Sequence, residues 1–118
     1  MKVKVLIVRA AGTNCDLETA YAFECAGAES ERVYIDEIKN KDLFEYKIIV
    51  FPGGFTYGDD ISAGKILANE VKYKLKDKFL KFIDKDNLIL GICNGFQVLV
   101  KAGILPGFDG YFTDQTVS

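Results

Sequence analysis

Three short apolar runs constrain the fold more than any other feature of the sequence. Val3–Val8, Ile48–Phe51 and Leu88–Ile92 are continuous rather than alternating runs rich in β-branched residues, a pattern typical of strands that are covered on both faces. Arg32–Ile35 is a shorter candidate strand. Because helical patterns separate these strands, the sequence predicts right-handed βαβ crossovers and a doubly wound, mostly parallel α/β sheet.

The connecting segments show helical periodicity of different strength. A helix is predicted from about Cys15, with Asn14 as a candidate N-cap, and it places Leu17, Ala20 and Tyr21 on one face before Gly27 ends it. A longer helix is predicted where apolar residues recur every three or four positions, and its lysines are expected to form a solvated face. The apolar positions are Leu67, Val71, Leu75, Phe79, Phe82 and Ile83, and the lysines are Lys72, Lys74, Lys76, Lys78 and Lys81. Between them, Ile38, Leu43 and Phe44 could anchor a turn of helix.

Composition excludes several classes of function. A chain of 118 residues with 49% hydrophobic and 27% charged residues fits one globular domain. Its formal charge of -2 offers no basic field for nucleic acid, and no apolar run is long enough to cross a membrane. We therefore expect a cytoplasmic protein. Three widely spaced cysteines and no histidine argue against a disulfide framework, a metal site and any histidine-dependent dyad within the chain.

Three loops follow predicted strands at their carboxyl ends, where ligands bind in sheets of this kind. They are 10–14, 52–58 and 93–95. Because parallel strands all end at the same edge of a sheet, these loops are expected to share one rim. The rim therefore holds the candidate functional residues.

The segment around Cys93 allows two interpretations. Asn94-Gly95 between apolar runs is a strong hairpin signal. The other interpretation is a sharp turn from a strand into a helix, because residues 96–100 do not alternate and Lys101 and Gly103 resemble a helix end. That turn would expose the thiol above the sheet, beside a helix N-terminus that favours the thiolate.

Such a turn would also supply oxyanion donors. The amide of Asn94 could bind an oxygen on the carbon that the sulfur attacks, and an amide of the Gly53-Gly54 loop is the natural second donor. Cys15 and Cys25 fall within the first predicted helix and are interpreted as small structural residues.

Three segments carry a resemblance to a known family. Residues 91–97 (GICNGFQ) resemble the nucleophile motif of class I, triad-type glutamine amidotransferases. Residues 52–59 (PGGFTYGD) and 12–16 (GTNCD) narrow the resemblance to the glutaminase subunits of phosphoribosylformylglycinamidine synthase, an enzyme of purine biosynthesis. The segments occur in the family's order and span nearly the whole chain.

The resemblance implies a flavodoxin-like amidotransferase fold and a chemistry. Cys93 would attack the side-chain amide of glutamine, release ammonia and form a thioester that water hydrolyses. Gly54 and Asn94 would be the backbone oxyanion donors. The implied substrate-binding residues are Gln97, Gly53, Phe55 and Asn14.

The implied partners are a synthetase subunit, which receives the ammonia and uses ATP and magnesium, and in some systems a small third subunit. No cofactor and no metal are implied for this chain itself.

The sequence departs from the family in one respect. Family members place a catalytic histidine and an acidic residue well beyond the nucleophile, and residues 1–118 contain no histidine. Residues 111–117 read as a strand close to Ser118. We therefore expect a single, truncated amidotransferase domain that corresponds to the N-terminal half of the family and is inactive alone.

Two other functions remain open at this point. A cysteine-elbow enzyme of the PfpI-like and DJ-1-like superfamily would also join a Gly-Gly loop to an elbow cysteine, although those proteins usually have histidine directly after the cysteine, where this chain has Asn94. A catalytically inactive scaffold that only docks on a synthetase would explain the missing histidine.

Overall fold

Four parallel strands form one sheet in the computed structural model of the chain, which describes residues 2–10, 15–53 and 68–104. The strands are β1 (Lys4–Arg9), β2 (Glu29–Tyr34), β3 (Ile48–Phe51) and β4 (Leu88–Gly91). Their order in the sheet is β2-β1-β3-β4, and every neighbouring pair is parallel. The predicted α/β class with a mostly parallel sheet is confirmed.

Helices occupy the connections between the strands. They are α1 (Asp16–Cys25), α2 (Ile35–Ile38), a 3-10 turn (Leu43–Glu45), a π-helical segment (Val71–Leu75), α3 (Lys76–Asp84) and α4 (Asn94–Lys101). Helix α4 ends in the predicted way, because Gly103 adopts a φ of 82° and the Ile104 amide donates to the Leu99 carbonyl at 3.0 Å.

The two faces of the sheet pack against different helices. On one face, Ala20 of α1 packs with Val5, Ile7 and Val50. The opposite face carries the larger core, in which α3 and α4 cover β1 and β3. The chain moves from β1 to β2 over the first face and from β3 to β4 over the second, so the sheet is doubly wound with its switch point between β1 and β3.

Several local predictions need correction. Strand β2 begins at Glu29 rather than Arg32 and ends before Ile35, because it pairs with β1 along its whole length. Leu17 and Tyr21 are 59% and 71% exposed, so α1 packs through Ala20 instead. Cys15 precedes α1 and occupies its N-cap position, the place predicted for Asn14.

The long helix before β4 also differs from its prediction. The π-helical turn interrupts it, while Val71, Leu75, Phe79 and Phe82 are buried as expected; Leu67 lies outside the described residues. One lysine is not a solvated residue, because the Lys78 ammonium donates to the carbonyls of Ile38 at 2.9 Å and Lys39 at 3.0 Å. Lys78 thus binds the end of α2, where the Ile38 carbonyl also accepts from the Lys41 amide at 3.0 Å. In the described part of the chain, no helix has the length and apolarity to span a membrane.

Candidate functional site

Cys93 lies between the end of β4 and the start of α4, in a backbone conformation that is rare for a residue with a side chain. Its φ is 50° and its ψ is -112°. Such a conformation persists only where surrounding contacts impose it, and it is typical of strained residues at functional sites. Since a helix and not a second strand follows Cys93, the hairpin interpretation is wrong and the strand-to-helix turn is present.

Three backbone hydrogen bonds hold this turn. The Gly95 amide donates to the Ile92 carbonyl at 2.8 Å, which closes the turn, and the Gln97 amide donates to the Cys93 carbonyl at 3.2 Å. The Ile92 amide donates to the Phe51 carbonyl at 3.0 Å. The turn is therefore tied both to its own helix and to the last residue of β3.

Three glycines let the segments around the turn approach each other closely. A Cβ on Gly95 would lie 1.9 Å from the Phe51 carbonyl oxygen, and one on Gly91 would lie 2.7 Å from the Cα of Phe96. A Cβ on Gly53 would lie 3.0 Å from the Cβ of Cys93. Side chains at the first two positions would collide with backbone, so the sequence needs glycine there.

The turn exposes the Cys93 side chain at the carboxyl end of β4, directly beside the end of β3. Asn94 is the first residue of α4, and Gln97 is exposed one turn further along the same helix. The structure thus brings Gly53, Cys93, Asn94 and Gln97 together. The predicted residues Gly54, Phe55 and Asn14 lie outside the described residues.

The other two cysteines occupy different surroundings. Cys25 is exposed at the last residue of α1, and its interpretation as a small structural residue stays a prediction. Cys15 is partly exposed at the start of that helix. Neither lies at the turn between β4 and α4.

A partly buried ion pair that the sequence alone did not predict lies at the start of α1. Asp16 is 6% exposed; its carboxylate oxygen accepts a hydrogen bond from Arg32 at 3.0 Å and lies 3.0 Å from the Nε of Arg9 in an ion pair. Arg9 also stacks on the ring of Tyr34, 4.6 Å from its centroid. Because Arg9 ends β1 and Arg32 belongs to β2, the pair ties the beginning of α1 to two strands. Asp16 lies in the first turn of α1, and an acidic residue in that position was the sequence signal that could have indicated this ion pair.

Within residues 2–10, 15–53 and 68–104, no group of three or more side chains is arranged to hold a metal ion. The turn between β4 and α4 offers an exposed thiol with nearby backbone amides. A thiol in this position can act as a nucleophile toward a carbonyl carbon.

Comparisons with known proteins agree with this geometry. The model of the CobB/CobQ-like glutamine amidotransferase domain family matches residues 2–118. Phosphoribosylformylglycinamidine synthase subunit PurQ of Dehalococcoides mccartyi is 60% identical over 108 residues, which are 90% of this chain and 42% of that protein. The same subunit of Archaeoglobus fulgidus is 46% identical over 116 residues, which are 92% and 43% of the two chains.

A solved structure also resembles this chain. The structure of PurLQS from Thermotoga maritima matches with a TM-score of 0.71 and 35% identity, over 91% of this chain and 47% of the matched chain. The chain thus spans less than half the length of the relatives that it matches. These findings confirm the resemblance to glutamine amidotransferases and to the glutaminase subunits named above, and the chain belongs to the CobB/CobQ-like glutamine amidotransferase domain family.

Proposed function

We propose that this chain carries the nucleophile of a glutaminase and that Cys93 is that nucleophile. The observation that supports the proposal most strongly is the positive φ of Cys93 at a strand-to-helix turn, with its side chain exposed beside Gly53. The sulfur would attack the side-chain amide carbon of glutamine. Collapse of the tetrahedral intermediate would release ammonia and leave a glutamyl thioester, which water would cleave to glutamate.

Backbone amides would stabilise the oxygen of the tetrahedral intermediate. The Asn94 amide is well suited because it belongs to the first turn of α4, next to the nucleophile. Gly54 is proposed as the second donor, since Gly53 before it contacts the turn. Gln97, Gly53, Phe55 and Asn14 are proposed to bind the glutamine.

Proton transfer by an imidazole would need a group from outside these residues. Departing ammonia needs a proton, and a positioned acid or base commonly contributes about 10² to 10⁴ in rate. Residues 1–118 contain no histidine. We therefore propose that an imidazole and a carboxylate from further polypeptide complete the site, and that the 118-residue chain alone turns over glutamine negligibly.

The larger reaction follows from the relatives. They are named as subunits of phosphoribosylformylglycinamidine synthase, and the solved structure is named as a PurLQS assembly. We propose that the completed glutaminase delivers ammonia to a synthetase partner that uses ATP and magnesium to convert formylglycinamide ribonucleotide into formylglycinamidine ribonucleotide. A small third subunit would belong to the same complex.

A labelling experiment tests the nucleophile. A chloroketone shaped like glutamine would alkylate Cys93: the sulfur forms a bond to the carbon beside the ketone, chloride leaves, and the thiol proton passes to solvent. Mass spectrometry of the peptides gives the rate at each cysteine, with exposed Cys25 as the reference within the same chain. Iodoacetamide, which lacks the glutamine shape, corrects for differences in exposure.

The expected result is that the chloroketone prefers Cys93 over Cys25 at least tenfold more strongly than iodoacetamide does, and that free glutamine slows this labelling. Equal preference for both reagents, or no protection by glutamine, would contradict the proposal. Steady production of glutamate by the purified chain, lost in Cys93→Ala, would contradict the need for an external acid and base.

A further inference from the structure

Helix α1 makes little apolar contact with the sheet. Of its ten residues, all of which the structure describes, Asp16 and Ala20 are buried, whereas Leu17 and Tyr21 are exposed. Phe23 is partly buried against the same cluster as Ala20. The methyl group of an alanine interlocks little with a sheet, so it leaves the position of the helix along the strands weakly fixed. Asp16 is therefore the buried side chain of α1 that can fix this position.

The carboxylate of Asp16 joins α1 to two strands. Its Oδ2 atom accepts a hydrogen bond from Nη1 of Arg32 at 3.0 Å and lies 3.0 Å from Nε of Arg9. Arg32 belongs to β2, and Arg9 is the last residue of β1, where its guanidinium also stacks on the ring of Tyr34. A buried carboxylate loses its hydration, and only a geometry that keeps both guanidinium groups close compensates for that loss. The ion pair therefore imposes one position on the first residue of α1.

The residue before α1 is held as well. The backbone carbonyl of Cys15 accepts from the hydroxyl of Thr19 at 2.7 Å and from the amide of Thr19 at 3.0 Å. Because Thr19 lies one turn into α1, the backbone of Cys15 moves with the helix. The place where the chain enters α1 thus depends on the Asp16 ion pair. The next residue toward the N-terminus is Asn14, which the proposed function assigns to glutamine binding.

The ion pair lies at the same rim of the sheet as the turn that exposes the nucleophile. Ile7 of β1 pairs with Val50 of β3, and Val50 pairs with Leu90 of β4. Two residues further along β1 and β4, Arg9 comes level with Ile92, the residue before the nucleophile. Only β3 separates β1 from β4, and two strand spacings amount to about 10 Å. The ion pair therefore acts on the end of a strand close to the proposed glutamine site.

We propose that Asp16 is a positioning residue of the glutamine site. By fixing where the chain enters α1, it fixes the position from which Asn14 reaches the bound glutamine. The inference rests on the proposed function, in which Cys93 is the nucleophile and Asn14 binds the substrate. An ion pair suits this role because the loss of either partner leaves a buried charge uncompensated, which disfavours other positions of the helix. Asp16 acts through Asn14 and takes no part in the chemistry.

The test measures glutamine binding by the 118-residue chain. The chloroketone labels Cys93, and the glutamine concentration that halves the labelling rate measures the affinity for glutamine. Asp16→Asn keeps the size of the side chain but removes its charge, and it should raise this concentration roughly tenfold or more, because displacing a binding group is costly. Arg9→Met should act similarly, and Arg9→Lys, which keeps the charge, should restore part of the affinity. Labelling of Cys93 by iodoacetamide should stay unchanged in all three variants.

A double variant shows whether Asp16 acts through Asn14. Asn14→Ala removes the proposed binding group, so Asp16→Asn should weaken glutamine binding little further in that background. Glu31→Gln is the matched control, because it removes the charge of a carboxylate that also has two partners, Lys41 and Tyr46, but lies in the middle of β2. This control should lower the melting temperature and leave glutamine binding unchanged.

Three results would overturn the proposal: unchanged glutamine binding in Asp16→Asn, an equal loss in Glu31→Gln, or additive effects of Asp16→Asn and Asn14→Ala. Each of them leaves the proposed function intact, because glutamine still protects Cys93 in the unaltered chain. If glutamine fails to protect Cys93 there, the proposed function is refuted and this inference with it. If circular dichroism shows that Asp16→Asn does not fold, Arg9→Met decides in the same way, since the Arg9 side chain is 35% exposed and its loss disturbs the core less.

Discussion

Replacing Gly95 with alanine should displace the turn that exposes Cys93. The new Cβ would lie 1.9 Å from the Phe51 carbonyl oxygen, and real Cβ atoms essentially never approach closer than 3.0 Å, so one of the two segments must move by about 1.1 Å. The same oxygen accepts the Ile92 amide at 3.0 Å. The ring of Phe51 also holds this residue in place, because it packs edge-to-face on Phe79 with centroids 5.7 Å apart. Helix α4 is therefore the segment expected to move.

The expected magnitude has two parts. Overpacking a core site costs about 1–3 kcal/mol, and weakening the Ile92 hydrogen bond costs about 0.5–1.5 kcal/mol. The sum, about 1.5–4.5 kcal/mol, should lower the melting temperature by roughly 6–18 °C for a domain of this size. A displacement of about 1 Å at a reacting group can cost on the order of 10² in rate. We expect a similar loss in chloroketone labelling of Cys93.

The measurements are thermal unfolding by circular dichroism and the labelling rate well below the melting temperature of each variant. Gly27→Ala is the matched control: Gly27 has a φ of 95°, but no atom lies within 4 Å of the place that an alanine methyl group would take there. This variant should lose about 1 kcal/mol through backbone strain and keep the labelling rate of Cys93. If Gly95→Ala melts and labels like the unaltered chain, the close approach of α4 to β3 is not what holds the nucleophile.

Three further predictions concern stability. Hydrogen bonds from Lys41 and Tyr46 lower the pKa of Glu31 below its ordinary value of 4.5. The stability that Glu31 contributes is therefore complete above pH 4.5 and is lost as the pH falls through the lowered pKa. Melting temperatures measured from pH 6 to 3 should fall more steeply for the unaltered chain than for Glu31→Gln. Phe79→Ala should cost about 3–5 kcal/mol in urea unfolding, because Phe79 is fully buried, and a loss below 1 kcal/mol would contradict its place in the core. Lys78→Met should cost about 0.5–1.5 kcal/mol in the same assay, while Lys81→Met, which alters an exposed lysine of the same helix, should change stability by less than about 0.5 kcal/mol.

The sequence predicts the elements whose signals are local. Strand β3 has its predicted bounds, because an apolar run followed by Pro52 and Gly53 needs no distant partner to be recognised. Strand β2 is different: Glu29 and Glu31 have low strand propensity, and only pairing with β1 places them in a strand. The contacts of Lys78 with the carbonyl of Ile38, forty residues away, are likewise invisible to any local pattern.

At the candidate site, too, some features follow from local sequence signals and others from contacts between residues far apart in the sequence. Asn94-Gly95 alone favours a hairpin as readily as a helix start. The structure decides between them through contacts of Gly95 with Phe51, which is remote in sequence. The lack of alternation in residues 96–100 and the helix-end signal of Lys101 and Gly103 favour the turn, and the family resemblance of residues 91–97 adds to this local pattern.

The position of the thiol and the supply of protons are separable in this chain. The backbone contacts that hold Cys93 come from β3, β4 and α4, and none involves a histidine, since residues 1–118 contain none. The strained turn can therefore form before any acid or base is present. Its strain is offset by burial of Phe51, Val98 and Leu99 beneath it, all of which are 1% exposed or less. Binding of glutamine-shaped reagents and turnover of glutamine should consequently respond to different groups: the first to the glycines around Cys93, the second to the group that supplies the protons.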